Sequence, residues 1–164
     1  MTDVQDLEKY IDEEITCYRE IKNLYTDKRE ILIHGKSDEL FNVDARILNT
    51  LKSANNTVAK RIGLLSKLNI KKPNMSEIIN FLRQKEPSAV ERFEEKKREI
   101  NELSKSIAKL EKLNLELTKH GINMTNKTLE AILKSVTIST NEYDKRGKNI
   151  AGENLEMSSI VEEA

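Results

Sequence analysis

The chain has 164 residues, a length that suits one folded domain. Its 28 basic side chains balance 28 acidic ones, so the charge favours neither a nucleic-acid partner nor an anionic membrane surface. Aromatic residues make up 4 % and charged residues 34 %, with two prolines and five glycines. This composition excludes a wide α/β core and favours long helices with narrow apolar stripes.

Location follows from three further features. No apolar run is long enough to cross a bilayer, so we predict no membrane insertion. The segment from Met1 to Asp12 is acidic and lacks the basic and apolar regions of a secretory signal. Cys17 is the single cysteine, so no disulfide can form within the chain. We therefore expect a cytoplasmic protein.

A first helix is predicted from about Asp3 to His34 because apolar residues recur there at three- and four-residue steps. These residues are Val4, Leu7, Ile11, Ile15, Tyr18, Ile21, Tyr25 and Leu32. Gly35 can take the left-handed conformation that ends a helix. Ser37 is predicted to cap the next helix, which makes this segment a tight helix–helix corner.

A second helix is predicted from about Asp38 to Leu68, ending before Pro73. Its heptad seam consists of Ile47, Leu51, Ala54, Val58, Arg61, Leu65 and Leu68. A short helix is expected from Ser76 to Gln84, with Asn74 and Glu77 in the positions of a capping box.

The last helix is predicted to run from Pro87 to about Ile138 in two heptad registers. The first register is Ile100, Leu103, Ile107, Leu110, Asn114 and Leu117, and the second is Ile122, Thr125, Leu129, Ile132 and Val136. The step between them falls beside Gly121, where we expect a local kink or a change of packing partner. Asn114 either fixes the register as a buried polar residue or lies at a solvated position.

The lengths of these helices do not match. The last helix would reach roughly 78 Å, whereas each of the first two would reach roughly 47 Å. The apolar stripe from Ile122 to Ile138 is therefore the part expected to lack an intramolecular partner. We predict an all-α fold of three long helices and one short helix in an elongated antiparallel bundle or coiled coil. Residues 1–140 would form this single domain, and residues 141–164 would form a flexible polar tail.

No catalytic or cofactor-binding pattern is found in the sequence. It contains no Gly-rich phosphate loop, no pair of histidines at metal-ligand spacing and no nucleophile beside a candidate base. His34 and His120 fall at the corner and at the step, and Cys17 is interpreted as a small packing residue. We predict that the protein is not an enzyme and holds no cofactor or metal.

Three stretches together resemble the FlgN family of flagellar export chaperones. They run from Leu7 to Leu40, from Asp44 to Ile62, and from Leu110 to Leu133, the last followed by Tyr143 and then by Gly147. The resemblance implies a cytosolic helical bundle that keeps hook-associated proteins unassembled and delivers them to the type III export gate.

The resemblance also implies two sites. The C-terminal part of the last long helix would hold the amphipathic C-terminal segment of the client through Ile122, Leu129, Ile132, Leu133 and Val136. Tyr143 matches the tyrosine that docks on the export gate, although the spacing before it differs from the family pattern by two residues.

One alternative remains open at this point. The same stripe could join two copies of the chain into a homodimer, which would make the protein a self-associating structural coiled coil without a client.

Overall fold

The computed structural model describes the backbone of residues 3–140 and the side chains of residues 3–135. Within these residues the chain forms four α-helices, a 3-10 turn and no strand. The helices are α1 (Asp3–Ile33), α2 (Ser37–Lys67), α3 (Met75–Lys85) and α4 (Val90–Thr140), and the 3-10 turn is Pro87–Ala89. The predicted all-α fold of three long helices and one short helix is confirmed. The predicted tail, residues 141–164, lies outside the described residues.

Gly35 forms the corner between α1 and α2 with a φ of 65°. The amide of Lys36 donates to the carbonyl of Ile31 at 3.0 Å, and the amide of Gly35 donates to that of Leu32 at 3.4 Å. This pair of hydrogen bonds is a Schellman motif, which satisfies carbonyls at the end of α1. The predicted cap at Ser37 is wrong, because Lys36 occupies the N-cap position and makes no side-chain cap bond. Closure of the motif brings Ser37 into the first turn of α2.

Two asparagines set the limits of the segment between α2 and α3. Asn69 has a φ of 58°, and the amide of Ile70 donates to the carbonyl of Leu65 at 2.9 Å, so α2 also ends in a Schellman motif. Asn74 caps α3 because its Oδ1 accepts from the amide of Glu77 at 2.9 Å, as predicted. The second helix, α2, thus ends at Asn69 in the left-handed region, several residues before Pro73.

The ion pairs fix the directions of the helices. Lys28 of α1 pairs with Asp44 of α2 at 2.7 Å, and Glu14 pairs with Arg61, so these two helices are antiparallel. Between α1 and α4, in contrast, the residue numbers of the contacting partners increase in the same direction. Arg92 pairs with Glu8 at 3.2 Å, and Asn114 Nδ2 donates to the carbonyl of Tyr25 at 2.9 Å. These two helices are therefore parallel.

The main hydrophobic core lies where α3 and the start of α4 pack on the first half of α1. Its buried members are Val4, Leu7, Ile11, Ile15, Leu65, Ile78, Ile79, Leu82, Ala89, Phe93 and Leu103. A smaller cluster near the corner consists of Leu24, Val43 and Ile47. Burial of these side chains is the main driving force that holds the helices together.

The seam of α2 differs from the predicted one. Thr50 and Thr57 are buried, whereas the predicted Leu51 is exposed and Val58 is half-buried. The seam that packs on the bundle is therefore Val43, Ile47, Thr50, Ala54, Thr57, Arg61 and Leu65. Ile47, Ala54, Arg61 and Leu65 of the predicted seam are thus confirmed, and Leu51 lies outside it.

The chain divides into two units, and the boundary falls inside α4, between Lys119 and His120. In the first unit, α1 and α2 each have 31 residues, whereas α4 has 51 residues in total and continues past the boundary. No helix within residues 3–140 is both long enough and apolar enough to cross a membrane.

Candidate protein-binding site

The predicted first register of α4 packs against the bundle. Leu103 and Asn114 are buried, and Ile100, Ile107, Leu110 and Leu117 are half-buried. Near its C-terminal limit, Leu113 and Leu117 line a small surface pocket with Arg29 and Ile33 from the last turn of α1. Since α1 ends at Ile33, the packing of α1 against α4 ends at this pocket.

Asn114 is a buried polar residue on this seam. Only 3 % of its surface is exposed, and its Nδ2 bonds to the Tyr25 carbonyl, so the solvated interpretation is wrong. Its Oδ1 is buried without a hydrogen-bond partner. Burial also raises the pKa of the neighbouring Tyr25 hydroxyl, and nearby Glu111 and Asp44 raise it further.

Beyond Thr118 the surroundings of the helix change. Every side chain from Lys119 to Ser135 is exposed, although the backbone is helical throughout. Gly121 lies within the helix, and its carbonyl accepts from the Thr125 hydroxyl at 3.0 Å. A local kink or a change of packing partner was predicted at this point; the α-helix continues across it, and the residues that follow are exposed.

Four of the five residues predicted to bind a partner are large apolar side chains with about half of their surface exposed. The exposed fractions are 55 % for Ile122, 49 % for Leu129, 53 % for Ile132 and 48 % for Leu133. At about 100° per residue these four positions fall within an arc of about 100° around the helix axis. The structure thus places them on one face, which we call the α4 arc. Val136 lies in the same helix, but its side chain is outside the described set.

Two exposed apolar residues of α4 were missed. Met124 is 53 % exposed and lies about 80° outside the nearer edge of the α4 arc. Leu115 is 53 % exposed one residue after the buried Asn114. Counting every large apolar residue of the helix, rather than only those at heptad spacing, would have found both.

The residues considered for chemistry are exposed or half-buried. His34 is largely exposed beside Glu30, at 3.5 Å, and His120 is exposed on α4. Burial and the nearby glutamates, Glu20 first among them, raise the pKa of the half-buried Cys17 thiol. Within the part of the chain that the structure describes, no group of three or more metal-ligating side chains comes together.

Tyr143, the predicted docking residue, lies outside the described residues. Its position falls within the part of the chain that matches a known family. A family model described as FlgN protein matches residues 1–150, which include all four helices. No curated protein and no solved structure gave a significant match. The family match covers most of the chain, and it confirms the resemblance on which the predictions of the two sites were based.

Proposed function

The chain belongs to the FlgN family of flagellar export chaperones, and from this premise we propose that it carries hook-associated proteins to the export gate. FlgN chaperones bind flagellar hook-associated proteins. In our proposal the client segment is the amphipathic C-terminal region of such a protein, and the α4 arc is the surface that receives it.

The exposure of the α4 arc is the observation that supports this proposal most strongly. An amphipathic helix is recognised through apolar anchors at three- and four-residue spacing. Leu129, Ile132 and Leu133 have this spacing, Ile122 lies two turns before Leu129, and all four retain about half of their surface for a partner. A client helix laid along the arc would remove that apolar surface from water and hide its own apolar face from premature assembly.

The exposed apolar area of the α4 arc limits the affinity for the client. Burying a whole aliphatic side chain contributes about 1.5–3 kcal/mol, so half-exposed Ile122, Leu129 and Ile132 together offer about 2–5 kcal/mol. Ordering a flexible partner costs about 2–5 kcal/mol. These three anchors therefore roughly offset the ordering cost, and the net affinity depends on further contacts. We expect binding no tighter than roughly micromolar, which suits a carrier that has to release its client.

Delivery would use the second site that family membership suggests. We assign docking on the export gate to Tyr143, which follows α4 in the sequence. A Tyr143→Ala variant should keep its affinity for the client and lose export. A variant with a weakened α4 arc should lose both, and this difference separates the two roles.

Calorimetric titration with the C-terminal segment of a hook-associated protein from the same organism tests the client site. Ile132→Ser on the arc should weaken binding about five- to tenfold, because it removes about half the burial of an isoleucine. Met124→Ser is the matched control, since Met124 is equally exposed but lies outside the arc, and it should leave the affinity unchanged. Equal effects of the two variants, or no binding by the intact chain, would rule out the α4 arc as the client site.

A further inference from the structure

Thr125 lies inside the α4 arc, and the client contacts proposed above do not include it. It occupies the heptad position between Ile122 and Leu129, three residues after the first and four residues before the second. At about 100° per residue it falls between Leu129 and Ile132 around the helix axis, and its side chain is exposed. One short residue thus interrupts the apolar face between two large ones.

The hydroxyl of Thr125 is already bonded within the helix. It donates to the carbonyl of Gly121 at 3.0 Å. Threonine hydroxyls inside helices often bond in this way to the carbonyl four residues earlier. The single hydrogen of the hydroxyl is thereby used, so an apolar side chain of a partner can cover Thr125 without leaving this donor unpaired.

The neighbours of Thr125 define what this position can receive. When two helices pack along a heptad seam, a side chain of one helix enters a hole formed by four residues of the other. Ile122, Thr125, Asn126 and Leu129 form such a set at i, i+3, i+4 and i+7. Because Thr125 and Asn126 are shorter than the two aliphatic residues beside them, the set leaves room between Ile122 and Leu129.

One heptad further along α4, the corresponding set contains no short polar residue. It consists of Leu129, Ile132, Leu133 and Val136. Since all four residues are branched aliphatics, this set leaves less room for a client side chain than the first set does. The room that the α4 arc offers therefore decreases from its Ile122 end toward its Leu133 end.

We propose that Thr125 is a specificity-determining residue of the client site. The inference rests on the proposed function and states which client fits. The client is an amphipathic helix with a bulky apolar side chain that enters the hole at Thr125, and with a smaller side chain seven residues away that covers the aliphatic set. Well-fitted interfaces pack as densely as protein interiors, where a change of even one methylene is felt.

Calorimetric titration with the C-terminal segment of a hook-associated protein tests this inference through the sign of one substitution. Thr125→Leu should weaken binding about tenfold, because the leucine fills the hole that the bulky client side chain needs. If the arc recognised apolar area alone, the same substitution would strengthen binding. Thr125→Val keeps the branched shape without the hydroxyl, and it should leave the affinity nearly unchanged.

Thr128→Leu is the matched control. The Thr128 hydroxyl also donates to the carbonyl four residues earlier, that of Met124 at 3.0 Å, but Thr128 lies outside the α4 arc. This variant should therefore not weaken binding. Circular dichroism should show that Thr125→Leu and Thr128→Leu both keep the helical content of the wild type.

Compensation by the client identifies the contact. Each large apolar residue of the client segment is replaced by alanine in turn, and each peptide is titrated into the wild type and into Thr125→Leu. Alanine at the residue that enters the hole should weaken binding to the wild type and restore binding to Thr125→Leu. Alanine at any other client residue should weaken binding to both.

Failure of this inference differs from failure of the proposed function. If Ile132→Ser weakens binding while Thr125→Leu strengthens it or leaves it unchanged, the inference is overturned and the client site stands. A loss in Thr125→Leu that no alanine of the client compensates would also overturn the inference, because the loss would not come from size. If the intact chain does not bind the segment, or if Ile132→Ser has no effect, the proposed function fails and the inference fails with it.

Discussion

Arg61 of α2 binds both carboxylate oxygens of Glu14 of α1 inside the bundle. Its Nε bonds to Oε1, and its Nη2 donates to Oε2 at 3.3 Å, while 3 % of the Glu14 side chain and 12 % of the Arg61 side chain are exposed. The third nitrogen, Nη1, donates to the carbonyl of Pro73 at 2.9 Å. One guanidinium therefore connects α1, α2 and the segment that leads to α3.

Breaking this pair should destabilise the protein strongly. Glu14→Ala leaves the Arg61 guanidinium buried without its partner, and we expect a loss of about 3–5 kcal/mol in the free energy of unfolding. Urea denaturation measures this loss. Arg19→Ala is the control because Arg19 forms an exposed pair with Glu99, and it should cost at most about 1 kcal/mol. A loss below about 1 kcal/mol for Glu14→Ala would contradict burial of the pair.

Two glycine substitutions should have opposite signs. Gly35→Ala should destabilise by about 1–2 kcal/mol, because Gly35 has a φ of 65° and L-residues are strained there. Gly63→Ala should stabilise by about 1 kcal/mol, because Gly63 lies inside α2, where alanine is the better helix former. A Cβ at either position meets nothing within 4 Å, so the difference isolates backbone conformation. Thermal unfolding of the two variants would disprove this if both shifted in the same direction.

Asn114→Leu should leave stability unchanged or raise it by about 1 kcal/mol. The substitution removes one hydrogen bond but also removes the buried Oδ1, whose desolvation is uncompensated. If Asn114 fixes the register of the seam, the variant should gain stability and lose uniqueness, visible as broadened amide signals in NMR spectra. A marked loss of stability would show that Asn114 makes a stronger interaction than its bond to Tyr25.

Tyr18 should make stability fall at alkaline pH. Burial raises the pKa of its hydroxyl above the ordinary value, and Glu14 adds to this effect while Arg61 opposes it. The unfolded state therefore ionises first, near pH 10, so the stabilising contribution is complete below about pH 10 and is lost as the pH rises toward the pKa of the folded state. Urea denaturation between pH 8 and pH 11 should show a shallower decline for Tyr18→Phe. An identical slope for wild type and variant would contradict this expectation.

The helix limits could be predicted closely because local chemistry determines them. Gly35 and Asn74 act through their own backbone or side chain, and both appear where the sequence predicted. Ser37 was misplaced because Gly35 and Lys36 close the corner one residue earlier than a serine cap would allow. The last helix was predicted to begin at Pro87, but Pro87–Ala89 forms a 3-10 turn and α4 begins at Val90.

The packing of α2 could be predicted only in part, because Leu51 and Val58 repeat with the same period as the residues that the bundle buries. Sequence favoured the seam through Leu51 and Val58, since leucine and valine are more apolar than threonine. The bundle instead buries Thr50 and Thr57, which lie on the same face of α2 as Arg61. Arg61 pairs there with the buried Glu14. Pairing of Arg61 with Glu14 depends on the contact between α1 and α2, which no local pattern reveals. A comparison of helix lengths predicted that the stripe beginning at Ile122 would lack an intramolecular partner, whereas the choice of the α4 arc residues as client contacts came from the resemblance to the FlgN family.

Hydrogen exchange of residues 120–135 tests the central claim, that this part of α4 receives the client. Without a client these amides should exchange faster than those around Leu103, because their side chains are exposed. Saturation with the C-terminal segment of a hook-associated protein should slow their exchange, and a scrambled segment of the same composition should not. Unchanged exchange of residues 120–135 at saturation, with protection elsewhere or nowhere, would contradict the claim.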